Sequence, residues 1–281
     1  MLGKLIKHEF LDTYKIICTY YAVLAIFTVL CVIVVNSAQY PKIVQSLLLQ
    51  IFTVVASLGY AVILGVLGLI TVLALCTHFN NTMYGDRGYL THTLPVSKGS
   101  ILASKYIVSI VWCIASLLMM FISVMIEQSV MTNENFFIKL LFQTDAQEWK
   151  YLDEFVKNTF GCGLIPFLVL VFLSLIATVM HLFSFIWMAI SVGQLANEKR
   201  KLTGIIAGIA IWFAEFLIKW FTRRILHLSF FYGLTELLFM ESNKAMHGDQ
   251  ILLLTIVSEL VFFAIETFGI WFISSKKLNL A

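Results

Sequence analysis

Thr77-His78-Phe79-Asn80-Asn81-Thr82-Met83-Tyr84-Gly85-Asp86-Arg87-Gly88-Tyr89-Leu90-Thr91-His92-Thr93-Leu94-Pro95-Val96-Ser97, continuing to Lys105, is a polar island between two long apolar runs. Tyr84 to Gly88 carries two glycines, which reach backbone conformations that other residues resist, so the chain can turn there. Tyr89 to Leu94 is long enough for about a turn and a half of helix before Pro95 stops it. Ser97 stands as the N-cap of the next helix, which carries Ile101, Leu102 and Lys105. Most of the rest is apolar, so the island is where the chain meets water. It reads either as a docking surface for a soluble partner or as a plain solvated connection.

The composition fixes the class. Of 281 residues, 60% are hydrophobic and 12% charged, with a mean hydropathy of +0.92. A soluble domain carries about 25% charged residues, so this is a polytopic membrane protein. A net charge of +3 is too small to argue for nucleic acid. Cys18, Cys31, Cys76, Cys113 and Cys162 lie far apart and imply neither a disulfide framework nor a metal cluster. The first apolar run continues past the length of a signal-peptide core, so it is expected to be retained as a span.

A span needs about 20 mostly apolar residues. Six runs qualify, over 17–38, 47–77, 105–126, 160–193, 203–222 and 251–274. The second and fourth are long enough to tilt, kink or project beyond the lipid. Pro166 marks a kink or a late start in the fourth. Gly59, Gly65 and Gly68, with Ala61, in the second, and Gly204 and Gly208 in the fifth, are spaced for close helix packing.

Before the first span, residues 1–15 place Leu2, Leu5, Ile6 and Phe10 on one helical face, with Lys4, Lys7, His8, Asp12 and Lys15 elsewhere. This fits an amphipathic helix lying in the membrane surface, or an ordinary lead-in. One set of connecting segments holds eleven basic residues: Lys4, Lys7, Lys15, Arg87, Lys98, Lys105, Lys199, Arg200, Lys201, Lys276 and Lys277. That set is expected to face the cytosol, together with both termini and the island. On the opposite side, segment 127–159 carries Trp149, Leu152, Phe155 and Val156 at helical spacing, which reads as a surface helix. Leu228 to Met240 is apolar but too short to cross. It reads as a re-entrant hairpin bent at Gly233, or as an interfacial helix. The expected fold is therefore all-α, one membrane domain over residues 1–281.

The chain has no GxxxxGK(S/T) phosphate loop and no HExxH, GxSxG or CxxC motif, so it is not expected to hydrolyse ATP or to act as an enzyme by itself. Its intramembrane ionisable residues are few. Glu259 and Glu266 are seven apart on the last span and share a face; Glu215 lies in the fifth, with Lys219 one turn on as a partner. His181 lies in the fourth. A charge at the bilayer centre costs about 2.5–3.5 kcal/mol, so these groups must turn inward, pair or be neutralised. They either line a translocation path or hydrogen-bond between helices. His181 with a glutamate also leaves an intramembrane enzyme as an option.

The run Arg87-Gly88-Tyr89-Leu90-Thr91-His92-Thr93-Leu94-Pro95-Val96-Ser97, followed by Ser104-Lys105, resembles a motif of the ABC-2-type permease subunits of ATP-binding-cassette transporters. The basic amphipathic start, the long second helix and the hydrophobic segment before the sixth span are similar to that family in outline. The ending Lys276-Lys277-Leu278-Asn279-Leu280 is similar to tails of small bacterial members. The resemblance implies an exporter subunit in the bacterial cytoplasmic membrane, moving an amphipathic or hydrophobic cargo. It implies cytosolic ABC ATPase partners that bind ATP and Mg, and a second permease chain, identical or homologous. The ATPases would grip a coupling helix, giving docking roles to Asp86, Arg87, Gly88, Tyr89, Leu90, Thr91, His92 and Leu94. Segment 127–159 is long for a minimal member. The competing reading is an ion-coupled secondary transporter using Glu215, Glu259 and Glu266, although the paired interrupted helices common in such carriers are not evident.

Overall fold

A long apolar run crossing lipid can satisfy its backbone within itself only as a helix, and a computed structural model of the chain is helical accordingly. It describes residues 2–38, 47–85, 87–93, 95–132, 146–196, 198–225 and 248–276. Among them are eight helices and no strand: α1 (Leu2–Ala38), α2 (Leu47–Met83), α3 (Gly88–Thr93), α4 (Lys98–Thr132), α5 (Ala146–Phe160), α6 (Leu164–Gly193), α7 (Arg200–Ile225) and α8 (Gly248–Lys276). Six of these, α1, α2, α4, α6, α7 and α8, are long and apolar enough to cross a membrane. The chain is a multi-pass membrane protein. The hydrophobic segment Leu228 to Met240 lies outside the described residues, as do Asp86, Leu94, the middle of segment 127–159 and the tail beyond Lys276.

The helices overrun the apolar runs at several ends. α1 has no break near residue 16: the amphipathic start is continuous with the first span. At 1.5 Å per residue its 37 residues reach about 55 Å, against a hydrocarbon core of about 30 Å. α4 starts seven residues before the run at 105 and passes 126 to Thr132. The fourth span begins at Leu164 rather than 160, which puts Pro166 in its first turn, where a missing N–H costs nothing.

The described chain forms two compact units. The first comprises residues up to His78 and from Ile107. Buried positions recur along one face of each helix: Thr13, Ile17, Leu24, Thr28 and Cys31 on α1; Tyr60, Leu67, Thr71 and Leu75 on α2; Val108, Trp112, Ser116, Ser123 and Glu127 on α4. Hydroxyls join these stripes. The Trp112 indole N–H donates to Thr13 Oγ1 at 2.8 Å, Tyr21 and Ser116 share a hydrogen bond of 2.9 Å, and Thr28 and Ser123 one of 2.6 Å. Tyr60 closes the set by bonding Ser123, and Phe10 stacks on Trp112 with ring centroids 4.5 Å apart.

The second unit holds residues 79–106 and those from 146 onward. Its α8 buries Leu252, Thr255, Glu259, Phe262, Glu266, Ile270 and Ile273, one helical stripe, and packs on α6. On α7, Glu215 is the one buried side chain among the described residues, while Trp212, Phe213, Phe216 and Leu217 are exposed. The end of α6 and the start of α7 meet through small residues. A Cβ on Gly193 would lie 2.8 Å from the Arg200 carbonyl oxygen, and one on Gly204 3.3 Å from that of Ala189. The Gly204 and Gly208 spacing thus serves close packing. Gly59 and Gly65 have nothing near their missing Cβ, and Gly68 meets only the Met120 methyl, at 3.3 Å.

The joint from α5 into α6 is fixed by Gly161, at φ 81°, and by Asp153, whose Oδ1 accepts the Leu164 N–H at 2.7 Å. Asp153 thereby does for the α6 N-terminus what Gly163, lacking a side chain, cannot. That bond, with Lys157 beside it at 2.9 Å, holds its carboxyl below the usual carboxylate range.

Candidate functional site

Two places in the second unit gather the residues that the sequence singled out. The first is the island. α3 covers Gly88–Thr93, and Ser97 caps α4 by accepting the Ser100 N–H at 3.2 Å. Gly88 is buried under the end of α2, where a Cβ would come within 2.7 Å of the Met83 carbonyl oxygen, so no larger residue fits. His92 reaches the same carbonyl with Nε2 at 3.2 Å. Burial pushes its imidazole below the ordinary value, so the ring is neutral at pH 7 and Nε2–H donates. Two hydroxyl contacts hold the turn before α3: Tyr84 donates to Ser191 at 2.7 Å and lies 3.3 Å from the Ser274 hydroxyl. Burial raises the Tyr84 phenol, which stays protonated. Lys98 donates to the Ser274 carbonyl at 2.5 Å. Just inside, buried Lys105 donates to Thr82 at 2.6 Å.

What this clamp presents outward is apolar. Tyr89 is 65% and Leu90 66% exposed, and Arg87 is exposed beside them. Thr91 bonds back to the Arg87 carbonyl at 3.1 Å. The inward residues, Gly88 and His92, fix the helix; the outward pair is available for contact. Asp86 and Leu94, also expected here, lie outside the described residues.

The second place is a cluster of His181 (α6), Glu215 and Lys219 (α7), and Glu259 and Glu266 (α8). The imidazole is the hub. Its Nδ1 contacts the Glu259 carboxylate directly, while Nε2 lies 3.4 Å from Glu215 Oε2 and 3.7 Å from Glu266 Oε2. Lys219 stands 3.7 Å from Glu259 and over the Phe262 ring, at 5.1 Å. It pairs with Glu259 rather than with Glu215, its neighbour one turn away. Ser184 donates to Glu266 Oε2, and its oxygen also lies 2.9 Å from the His181 carbonyl oxygen. A cavity of about 390 Å³ opens beside the cluster, lined by His181, Glu215, Lys219 and Glu259 among aromatic side chains.

The sequence placed Glu259 and Glu266 on one face and set all three glutamates inside spans. It offered His181 with a glutamate as one option, but a lone histidine on an apolar helix carries no spacing signal that would make it the neighbour of all three. One imidazole and three carboxylates can hold a proton or a cation, or relay one.

Comparison with models of known protein families, with curated proteins and with solved structures finds no match to this chain.

Proposed function

We propose that this chain is the membrane-spanning subunit of an ATP-driven exporter of the ABC-2 type, carrying an amphipathic or hydrophobic cargo across the bacterial cytoplasmic membrane. The observation that carries the reading is a six-residue helix, α3, pinned to the end of α2 and exposing Tyr89 and Leu90. An exposed tyrosine beside a leucine and an arginine on a helix held rigidly from below is a surface that a protein partner can use, since tyrosine and arginine are enriched among interface anchors. The absence of a phosphate loop in the sequence agrees with it, because an ATP-driven member would then take its ATPase from another polypeptide.

In this reading, α3 and the residues around it, from Asp86 to Leu94, form the coupling helix. ATPase subunits with bound ATP and Mg close and push on Tyr89 and Leu90. Gly88 sits against the Met83 carbonyl, so the push passes into α2 without slack. Tyr84 shares it with α6 and α8 through Ser191 and Ser274. A second permease chain completes the path. The positive-inside distribution puts the island and both termini in the cytosol, and the first four turns of α1 then extend past the lipid on that side. Reconstitution tests this. Liposomes holding the chain and its ATPase should move cargo with ATP, and Leu90→Glu should abolish both transport and ATPase binding while the unfolding midpoint stays unchanged. Cargo movement by the chain alone without ATP would end the proposal.

A second reading is favoured by one specific observation, the His181 cluster beside a cavity: an ion-coupled carrier in which Glu215, Glu259 and Glu266 take up the coupling ion. It requires an ion gradient alone to drive transport and Glu259→Gln to stop it.

A further inference from the structure

The ion pairs around His181 and the Ser184 bond to Glu266 leave part of that cluster unsatisfied. Nε2 of His181, Oε1 of Glu215, Oε2 of Glu259 and Oε1 of Glu266 are buried atoms with no hydrogen-bond partner. Glu215 and Glu266 are 7% and 5% exposed, so neither is solvated instead. Leaving four such atoms unpartnered is costly, since each unsatisfied buried group forfeits about 1–3 kcal/mol and more when charged. The 3.4 and 3.7 Å separations from Nε2 to the two carboxylates exceed a good N–H···O bond. They are near the edge of a coordination polyhedron: ligands about 2.0–2.1 Å from a common tetrahedral ion stand about 3.3 Å apart. One ligand atom from each of His181, Glu215 and Glu266 falls within 4.8 Å of the others.

The surroundings fit the same purpose. The Glu259 carboxylate lies against Nδ1, a placement that favours a proton there and would leave Nε2 to face Glu215 and Glu266. A carboxylate on the far nitrogen is how metal-binding histidines are oriented and made more basic. Ser184 fixes the Glu266 carboxylate through Oε2, the oxygen 3.7 Å from Nε2, while Oε1 makes no hydrogen bond. Charge closes as well. Lys219 offsets Glu259, and with the imidazole neutral as a metal ligand the remaining two carboxylates would balance a divalent ion in an apolar setting.

We propose that His181 Nε2, with one carboxylate oxygen each from Glu215 and Glu266, binds a divalent first-row transition metal such as zinc or manganese, with Glu259 as the positioning residue. An imidazole with two carboxylates is a donor set of that borderline hardness. The neighbouring cavity gives the ion its approach and a position for a further ligand. Metal binding here ties α6, α7 and α8 at one point. The inference rests on the geometry of the second unit alone and is independent of how α3 is used.

The test uses the full chain in detergent, purified with a histidine-free affinity tag. One equivalent of Zn2+ should bind per chain, and zinc-edge X-ray absorption should show a single imidazole among oxygen ligands. Co2+ titration should give visible d–d bands. His181→Gln and Glu215→Gln should weaken binding at least about 100-fold, Glu259→Gln about 10- to 100-fold, and Glu127→Gln, a buried carboxylate of the first unit, not at all. The proposal is overturned by a chain that takes up no stoichiometric metal, by a zinc-edge spectrum without imidazole, or by equal loss in Glu127→Gln. The spectrum of the unaltered chain decides the matter should the variants fail to fold.

Discussion

Thr28, Tyr60 and Ser123 in the first unit, and His181, Glu215, Glu259 and Glu266 in the second, are both polar sets enclosed by apolar helices, yet they are finished differently. In the first, neutral hydroxyls bond to one another or back to their own helix, as when Thr28 also donates to the Leu24 carbonyl at 2.8 Å. In the second, ionisable groups leave buried oxygens and a ring nitrogen without a hydrogen-bond partner. A satisfied hydroxyl pair is glue, adding about 0.5–1.5 kcal/mol per bond. An unsatisfied set of ionisable groups costs several times that, which makes it a candidate for use by a ligand, a proton or a moving charge. The lesson is that what separates structural from functional polarity inside a membrane helix is completion, not polarity itself.

The contrast can be broken most sharply by deletion. His181→Ala removes the one hub of a buried charged set and should destabilise the chain by about 3–5 kcal/mol, read as a large drop in the thermal unfolding midpoint in detergent. An equal drop from Ser123→Ala would erase the distinction. Next in size is Gly193→Val, where the new side chain meets the Arg200 carbonyl and Gly204 Cα. It should cost about 1–3 kcal/mol and separate α7 from α6, taking Glu215 away from His181 and weakening zinc binding with it. Smaller again are Ser123→Ala and Tyr60→Phe, at about 1 kcal/mol each, with metal binding and transport intact.

The smallest effects are in pH. His92 is held neutral by burial, with its folded value below the unfolded one. The unfolded chain therefore binds the extra proton first, and the contribution of His92 is complete above the ordinary imidazole value and lost as pH falls below it. Amide exchange over residues 84–93 should quicken in that window, and His92→Gln should flatten the change. Asp153 acts at lower pH in the same direction, since its depressed carboxyl supports the α6 N-terminus only while ionised.

Much of this was legible in the sequence where local chemistry decides. Pro95 and Ser97 mark the gap between α3 and α4, and Gly204 and Gly208 mark a close helix contact. A seven-residue spacing puts Glu259 and Glu266 on one face. Pairings that depend on which helices become neighbours were not legible. Lys219 has Glu215 one turn away yet reaches Glu259 on another helix, because tertiary placement outweighs an i,i+4 preference of a few tenths of a kcal/mol. The Tyr60 and Ser123 bond was invisible for the same reason, since hydroxyls at helical spacing resemble any others. Helix ends were not legible from the apolar runs, because helices continue through polar turns that hydropathy excludes, as α1 does from Leu2.

The account depends most on α3 facing the cell interior, with Leu90 free to receive a partner. With the five native cysteines replaced, Leu90→Cys should resist a membrane-impermeant maleimide in intact cells. It should react in inside-out vesicles and be shielded there when the ATPase is bound. Labelling in intact cells, or no labelling from either side, would contradict it.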